Sequence, residues 1–159
     1  MAVRIEEVPV DDPRAIALRG MLDEELDVRY RPAQPEDHAL TAARAEALRI
    51  HPHDVIATFL AVDEDGTPLG HVMLRRLGAD LELKRLIVPA VARRRGVGRA
   101  LTAAVIERAR AAGAGRVILQ TGRQQPESIA LYTAAGFTPI PVYEPTSRRC
   151  PRRCASNCR

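Results

Sequence analysis

Residues Asp80–Ala112 read DLELKRLIVPAVARRRGVGRALTAAVIERARAA, and this stretch decides the fold. A charged but mainly apolar strand pattern runs to Pro89. A basic turn, R-R-R-G-V-G at Arg93–Gly98, then opens a long helix. Val97, Leu101, Val105 and Ala109 recur at i+4 and predict that helix's buried face. The turn holds no Ser, Thr, Asp or Asn, so the helix starts without a side-chain cap and several N–H donors stay open. With the positive end of the helix dipole these donors form an anion site. Three adjoining arginines favour phosphate or pyrophosphate as the anion.

Working outward, Val3–Val8 predicts a first strand, and Asp11-Asp12-Pro13 starts a helix that runs to about Val28. Ile16, Leu18, Met21, Leu22 and Leu26 are its expected buried stripe. Thr41–Ile50 is expected as a second, Ala-rich helix that Pro52 must end. Val55–Val62 is apolar throughout, as in a strand covered on both faces. Asp63–Thr67 turns it back into an antiparallel strand at Pro68–Leu77, and Gly78-Ala79-Asp80 turns again. On the strand Leu81–Val88, period-2 alternation places Glu82, Lys84, Leu86 and Val88 on one face, with Leu81, Leu83, Arg85 and Ile87 on the other. Arg116–Thr121 is a further buried strand, parallel to 81–88 because a helix joins them. Pro126 opens a short helix to about Ala135, and Phe137–Val142 follows as a strand. Beyond Tyr143 the apolar alternation stops.

The 159 residues suit a single domain. No apolar run approaches the ~20 residues a membrane span needs, and MAVRIEEVPV has no signal-peptide layout, so a cytoplasmic protein is the default expectation. Of 24 basic and 20 acidic residues, the last sixteen hold five and one, which leaves residues 1–143 with 19 of each. A neutral body argues against a broad nucleic-acid footprint. Cys150, Cys154 and Cys158 all lie in the basic tail. Their C-x3-C-x3-C spacing shares a face only in a helix, has no nearby His, and fits no common zinc pattern, so no metal site is expected. The tail, 144–159, is expected to be poorly ordered.

The order of elements and two motifs together resemble the GCN5-related N-acetyltransferase (GNAT) superfamily, of the bacterial type. The motifs are R-x-x-G-x-G at Arg93–Gly98 and QPESIALYTAAGF at Gln125–Phe137, and the resemblance covers residues 3–143 as one domain. It implies an α/β (α+β) fold, with a mixed, mostly antiparallel central sheet and helices on both faces. It also implies transfer of an acetyl group from acetyl-CoA to an amine of a small molecule or protein, in a ternary complex. By the resemblance, the backbone of Leu86, Ile87 and Val88 would bind the pantetheine arm as an added strand would. The N–H groups from Arg94, Arg95, Gly96, Val97 and Gly98 into Arg99 and Ala100, with Arg93 beside them, would cradle the pyrophosphate. Gly96 and Gly98 would permit close approach of backbone to phosphate. Gln125 stands where the family usually has Asn, and Ser128 lies one turn before Tyr132 on the same face. Tyr132 matches the tyrosine that protonates the departing thiolate, and Glu82 falls at the general base of histone-acetylating members. The family's last strand has no counterpart in EPTSRRCPRRCASNCR, so it is expected to be missing or altered. A homodimer is a habit of the family.

Acetyl transfer needs a neutral amine, a donor for the developing oxyanion and a proton for the thiolate. Against these roles stand plainer ones. Glu82 could pair with Lys84 or Arg85, Tyr132 could simply pack, and mid-strand His71 is more often structural than a base. Other functions weigh less. A dinucleotide fingerprint would need Gly at Leu101, and a Gly-Lys-Ser/Thr phosphate loop is absent. A non-catalytic acyl-CoA-binding regulatory module, or nucleic-acid contact through the tail, are the alternatives.

Overall fold

The structure, a computed structural model, describes residues 2–31, 38–143 and 153–158. Seven strands form one sheet in the order β1-β2-β3-β4-β5-β7-β6. They are β1 (Arg4–Val8), β2 (Val55–Val62), β3 (Pro68–Leu77), β4 (Asp80–Ile87), β5 (Val117–Gly122), β6 (Thr138–Ile140) and β7 (Arg153–Cys158). Neighbours run antiparallel except β4 and β5, which are parallel as the intervening helix requires. The helices are α1 (Pro13–Arg29), α2 (His38–Leu48), α3 (Val97–Ala111) and α4 (Pro126–Ala134).

Alternation along the central strands divides two cores. On one face, Phe59, Val72, Leu74, Leu83 and Leu119 meet α3 through Val97, Leu101, Val105 and Ala109. On the other, Leu60, Val62 and Ile87 meet Ala15, Leu18 and Leu22 of α1. Asp12 caps α1 by accepting from Arg14 N at 2.9 Å, with Pro13 in the first turn. α1 buries a narrower stripe than its composition suggests. Ile16 and Met21 are 52% and 47% exposed, because Ala15, Leu18 and Leu22 follow the i, i+3, i+7 line and leave those two on its flanks.

Two further expectations need correction. The final strand is neither missing nor without a place in the sheet. Arg153–Cys158 pairs with β5 from Val117 to Gly122 and with β6 from Thr138 to Ile140. Its sequence, RCASNC, lacks an apolar alternation, but two neighbouring ladders satisfy its backbone, and β5 gains a partner on its otherwise open edge. Cys154 and Cys158 therefore lie in a strand and not on a helical face, while Cys150 and the rest of 144–152 lie outside the described residues.

The second correction concerns β4. Its ladder with β3 shifts between His71 and Met73: His71 faces Ile87, and Met73 faces Lys84. Arg85 takes φ 57 there, a left-handed conformation costing on the order of 1–3 kcal/mol for a non-glycine residue. This bulge inserts one residue and reverses the alternation beyond it. Leu86 and Val88 consequently join Leu81 and Leu83 on the α3 face, while Ile87 turns to α1 with Glu82's side of the sheet. The single-face set Glu82, Lys84, Leu86, Val88 is thus divided after Lys84.

Gly70 lets α3 sit close on this framework. A Cβ there would lie 2.9 Å from Ile87 O and from side-chain carbons of Val97 and Leu101. Gly70→Ala is expected to destabilise by about 1–3 kcal/mol, as overpacking does, and to lift the start of α3 from the sheet. A thermal melt equal to wild type would show that α3 is not seated against this glycine.

Candidate active site

Beyond Leu83 and Leu119 the registered pairing of β4 with β5 ends, while β5 continues to Gly122 paired with β7. The backbone of Leu86–Val88 therefore borders a gap in the sheet, with Leu86 and Val88 half-buried at its edge. α3 opens directly beyond that gap. Its N-cap is Gly96 at φ 78, with no side-chain cap bond, as the lack of a capping residue predicts. With glycine at the N-cap, omitting a capping side chain costs only about a few tenths of a kcal/mol. Full burial of Val97, Leu101 and Val105, each at most 1% exposed, contributes roughly 1.5–3 kcal/mol apiece. Packing thus holds an uncapped helix in place, and its first-turn donors stay available.

Ala100 N already donates to Gly96 O at 3.0 Å, so the open donors end before it, at Val97, Gly98 and Arg99. The two glycines do different work. Gly96 supplies the left-handed turn, and a Cβ there would meet nothing within 4 Å. Gly98 has an ordinary backbone, but a Cβ on it would come 3.1 Å from Leu131, so it sets how closely α3 meets α4. The arginines also separate. Arg93 is committed: its Nε donates to Val88 O at 3.0 Å and its Nη2 bonds both Glu25 oxygens, at 3.0 and 2.9 Å. Glu25 holds Arg29 as well, which reaches Glu127 and Gln124 O at the start of α4. Arg94, at φ 63, and Arg99 are exposed and enter no ion pair among the described residues.

Across the gap, Gln125 Oε1 accepts from Gly122 N at 3.1 Å and lies 3.3 Å from the Tyr30 hydroxyl. A side chain at Gly122 would collide with that hydroxyl, so Tyr30 at the end of α1 closes over the end of β5. Tyr132 is 6% exposed and packs at a tilt on Phe137. Burial pushes its phenol above the usual tyrosine range, so it keeps its proton. Ser128 is half-buried one turn earlier, its N–H donating to Gln125 O.

Glu82 is 1% exposed. Its Oε2 accepts from Arg75 Nε at 2.7 Å and its Oε1 from the Tyr143 hydroxyl at 2.8 Å, with Lys84 Nζ at 3.8 Å. Of the two partners weighed from the sequence, Lys84 is near, but Arg85 turns away to Asp23. The sequence pattern alone does not single out Arg75 as the partner, although the Gly78-Ala79 turn sets a register that places it opposite Glu82. Clefts lie to either side on this face. One, of about 320 Å³, is bounded by Ile118, Ile140 and Tyr143. The other, of about 400 Å³ between α1, α2, β3 and β4, is bounded by Arg19, Asp23, Arg49, Val55, Met73 and Arg85.

His71 stands at the bulge, fully buried. Its Nδ1 lies 2.9 Å from Arg85 O, which can only accept, so Nδ1 carries the proton and the Nε2 lone pair faces Arg19 Nη1 at 3.2 Å. Burial lowers its pKa to about 4, with the Arg19 and Arg85 charges adding to the effect and the Arg85 carbonyl opposing it. Such a histidine is a fixed, neutral hydrogen-bonding element and not a base near neutrality.

The sequence model of the acetyltransferase (GNAT) family matches residues 18–137. An IAA acetyltransferase of Azospirillum brasilense is 37% identical over 81 residues, 50% of this chain and 53% of that protein, so the match spans about half of the relative's length. A crystal structure from Klebsiella pneumoniae subsp. pneumoniae superposes with a TM-score of 0.78 at 22% identity, covering 98% of this chain and 95% of that one. The PaiA N-acetyltransferase of Thermoplasma acidophilum, solved in complex with coenzyme A, gives a TM-score of 0.68 at 16% identity, covering 99% and 98%. These structures share the fold. Among the described residues, no helix is long and apolar enough to cross a membrane, and no group of three His, Cys, Asp or Glu is placed to hold a metal.

The buried neutral His71 makes stability depend on pH. The unfolded chain takes up its proton as pH falls through about 6.5, whereas the folded protein resists until about 4. Acidification across that window should therefore remove up to about 3 kcal/mol of stability. His71→Gln should flatten this part of a Tm-against-pH curve, and an unchanged slope would assign the acid loss to other groups.

Proposed function

The chain belongs to the acetyltransferase (GNAT) family, and from that premise we propose that it moves an acetyl group from acetyl-CoA to an amine by direct attack in a ternary complex. The observation that carries this reading is one juxtaposition. An uncapped helix N-terminus, entered through Gly96 in the left-handed region, opens at the end of the gap between β4 and β5. The gap edge offers strand-like backbone to the amide-bearing pantetheine arm at Leu86, Ile87 and Val88. The open N–H groups of Val97, Gly98 and Arg99, with the exposed Arg94, suit a pyrophosphate. Gln125 organises the opposite side of the gap by holding Gly122 and Tyr30. Acetyl-CoA supplies the activated thioester.

The protein's part is then to position and to move protons. The amine nitrogen attacks the carbonyl carbon, a C–N bond forms, and the C–S bond breaks. Tyr132, protonated near neutrality, gives a proton to the departing sulfur. The amine's surplus proton goes to Glu82. With both carboxylate oxygens engaged, the route runs through Tyr143, whose hydroxyl donates to Oε1 while its own oxygen accepts from the amine. A backbone N–H at 86–88 meets the developing negative charge. Bringing the two substrates together supplies most of the remaining acceleration.

Thiol release from acetyl-CoA across an amine panel tests this directly. Tyr132→Phe should lower kcat by on the order of 10²-fold with little change in acetyl-CoA affinity. Glu82→Gln and Tyr143→Phe should each lower kcat similarly, and the double variant should fall no further than either alone. Acetyl-CoA binding with no amine-dependent thiol release would sink the enzyme reading. A Glu82→Gln protein that melts early but turns over normally would reduce that carboxylate to a counter-ion.

A further inference from the structure

We propose that the acceptor is a small amine bearing a carboxylate, and that Arg19 in the cleft between α1, α2, β3 and β4 binds that carboxylate. This rests on the acetyl-transfer reading and names the substrate class its acceptor side selects. The cleft's charged lining, among the described residues, is three arginines against one aspartate: Arg19, Arg49 and Arg85 with Asp23. Two of the arginines already have an anion. Arg85 pairs with Asp23, and Arg49 with Glu46 at 3.2 Å. Arg19 is in no ion pair among the described residues. Its Nη2 donates to Val10 O at 2.7 Å and its Nη1 to His71 Nε2 at 3.2 Å, both neutral acceptors.

The guanidinium is nonetheless held in place. His71 is pinned through Nδ1 to the bulge carbonyl of Arg85, so its lone pair can point only at Arg19. Two of the five guanidinium N–H groups are used, and three remain for a planar two-oxygen partner. Burial and the neighbouring Arg85 both act against its charge, and Asp23 only partly offsets them. A carboxylate arriving with the substrate supplies the missing counter-charge. The volume, about 400 Å³, suits an amino-acid-sized molecule. Arg85 lines this cleft and also forms the bulge beside the β4–β5 gap, so a carboxylate held here is next to the acyl site, and the amine extends from it toward Glu82 and the Tyr143 hydroxyl at the edge of the neighbouring cleft. The same cations disfavour a bound ammonium, which promotes the neutral amine that attacks. A diamine or polyamine would instead bring its second ammonium against guanidinium groups.

Steady-state thiol release with the full chain compares an amino acid, its carboxamide, an aminoalkyl phosphate and a diamine. The amino acid should be the better acceptor, its specificity constant at least about 10-fold above that of the carboxamide, and the diamine should be poorest. Arg19→Gln should erase the preference by weakening amino acid binding about 10-fold or more relative to carboxamide binding, seen as a raised Michaelis constant for the amino acid. Arg19→Lys should restore part of it. Asp23→Asn, at an exposed position, should lower the amino acid's Michaelis constant by a few fold, so the charge test survives poor folding of the Arg19 variants. Equal rates for amino acid and carboxamide, the best rate with the diamine or the phosphate, or an Arg19→Gln loss shared equally by all acceptors would overturn the proposal. If no amine turns over, the acetyl-transfer reading fails separately. Calorimetry of the coenzyme A-saturated protein then decides the acceptor question: amino acid binding that exceeds carboxamide binding and is lost in Arg19→Gln supports it, and equal or absent binding overturns it.

Discussion

The hydrogen bond from His71 Nδ1 to the carbonyl of Arg85 is the constraint on which both halves of the site depend. A non-glycine residue at φ 57 is strained, and its carbonyl would otherwise be turned out of the β3–β4 ladder inside a protein core. The imidazole satisfies that carbonyl from the facing strand. Burial keeps the ring neutral, so it can donate at one nitrogen and accept at the other. With the bulge held, Leu86 and Val88 change faces, and β4 leaves β5 after Leu83. One side of this device borders the gap between β4 and β5. The other side aims Arg19.

Much of this frame was readable from residue order. The Gly78-Ala79 turn and the alternation in its flanking strands define a register that pairs Leu77 with Asp80 and Arg75 with Glu82. The i+4 line Val97, Leu101, Val105, Ala109 and the absence of any capping side chain describe α3 as it stands. The bulge was not readable, because Lys84-Arg85 carries neither glycine nor proline to mark a break in alternation. The strain there is stabilised by a side chain fourteen residues away, which no local pattern records. β7 escaped for a different reason. A strand flanked on both sides can be specified by its neighbours' open backbone groups, without an apolar signature of its own.

The arginines show why charge counts say little about roles. Arg93, Arg94 and Arg95 are adjacent in sequence and look equivalent as a phosphate clamp. In the fold, Arg93 bridges Val88 O and Glu25, fastening the turn before α3 to α1. Glu25 is shared with Arg29, which continues to Glu127 at the start of α4. Partly exposed pairs of this kind contribute little stability one at a time. Their effect is geometric: a single carboxylate on α1 relates the turn before α3 to the turn before α4, the two segments between which an elongated cosubstrate would pass.

The two faces of the sheet are attached by different physics, and this bears on what each can do. α3 is held by four apolar residues that are essentially fully buried, with Thr102 buried beside them, so its N-terminus is a rigid donor array. α1 buries Ala15, Leu18 and Leu22, a smaller apolar contact, and is otherwise positioned by Arg19, Asp23, Glu25 and Arg29 through polar contacts to β3, β4, α4 and the α3 turn. Exchange of one of these polar residues alters the cleft between α1, α2, β3 and β4 at the cost of an exposed or half-buried contact, whereas a change beneath α3 opens a cavity in the main core. The face beneath α3 is thus built to resist substitution. The α1 face is built so that a charge such as Arg19 can be exchanged while the sheet beneath stays the same.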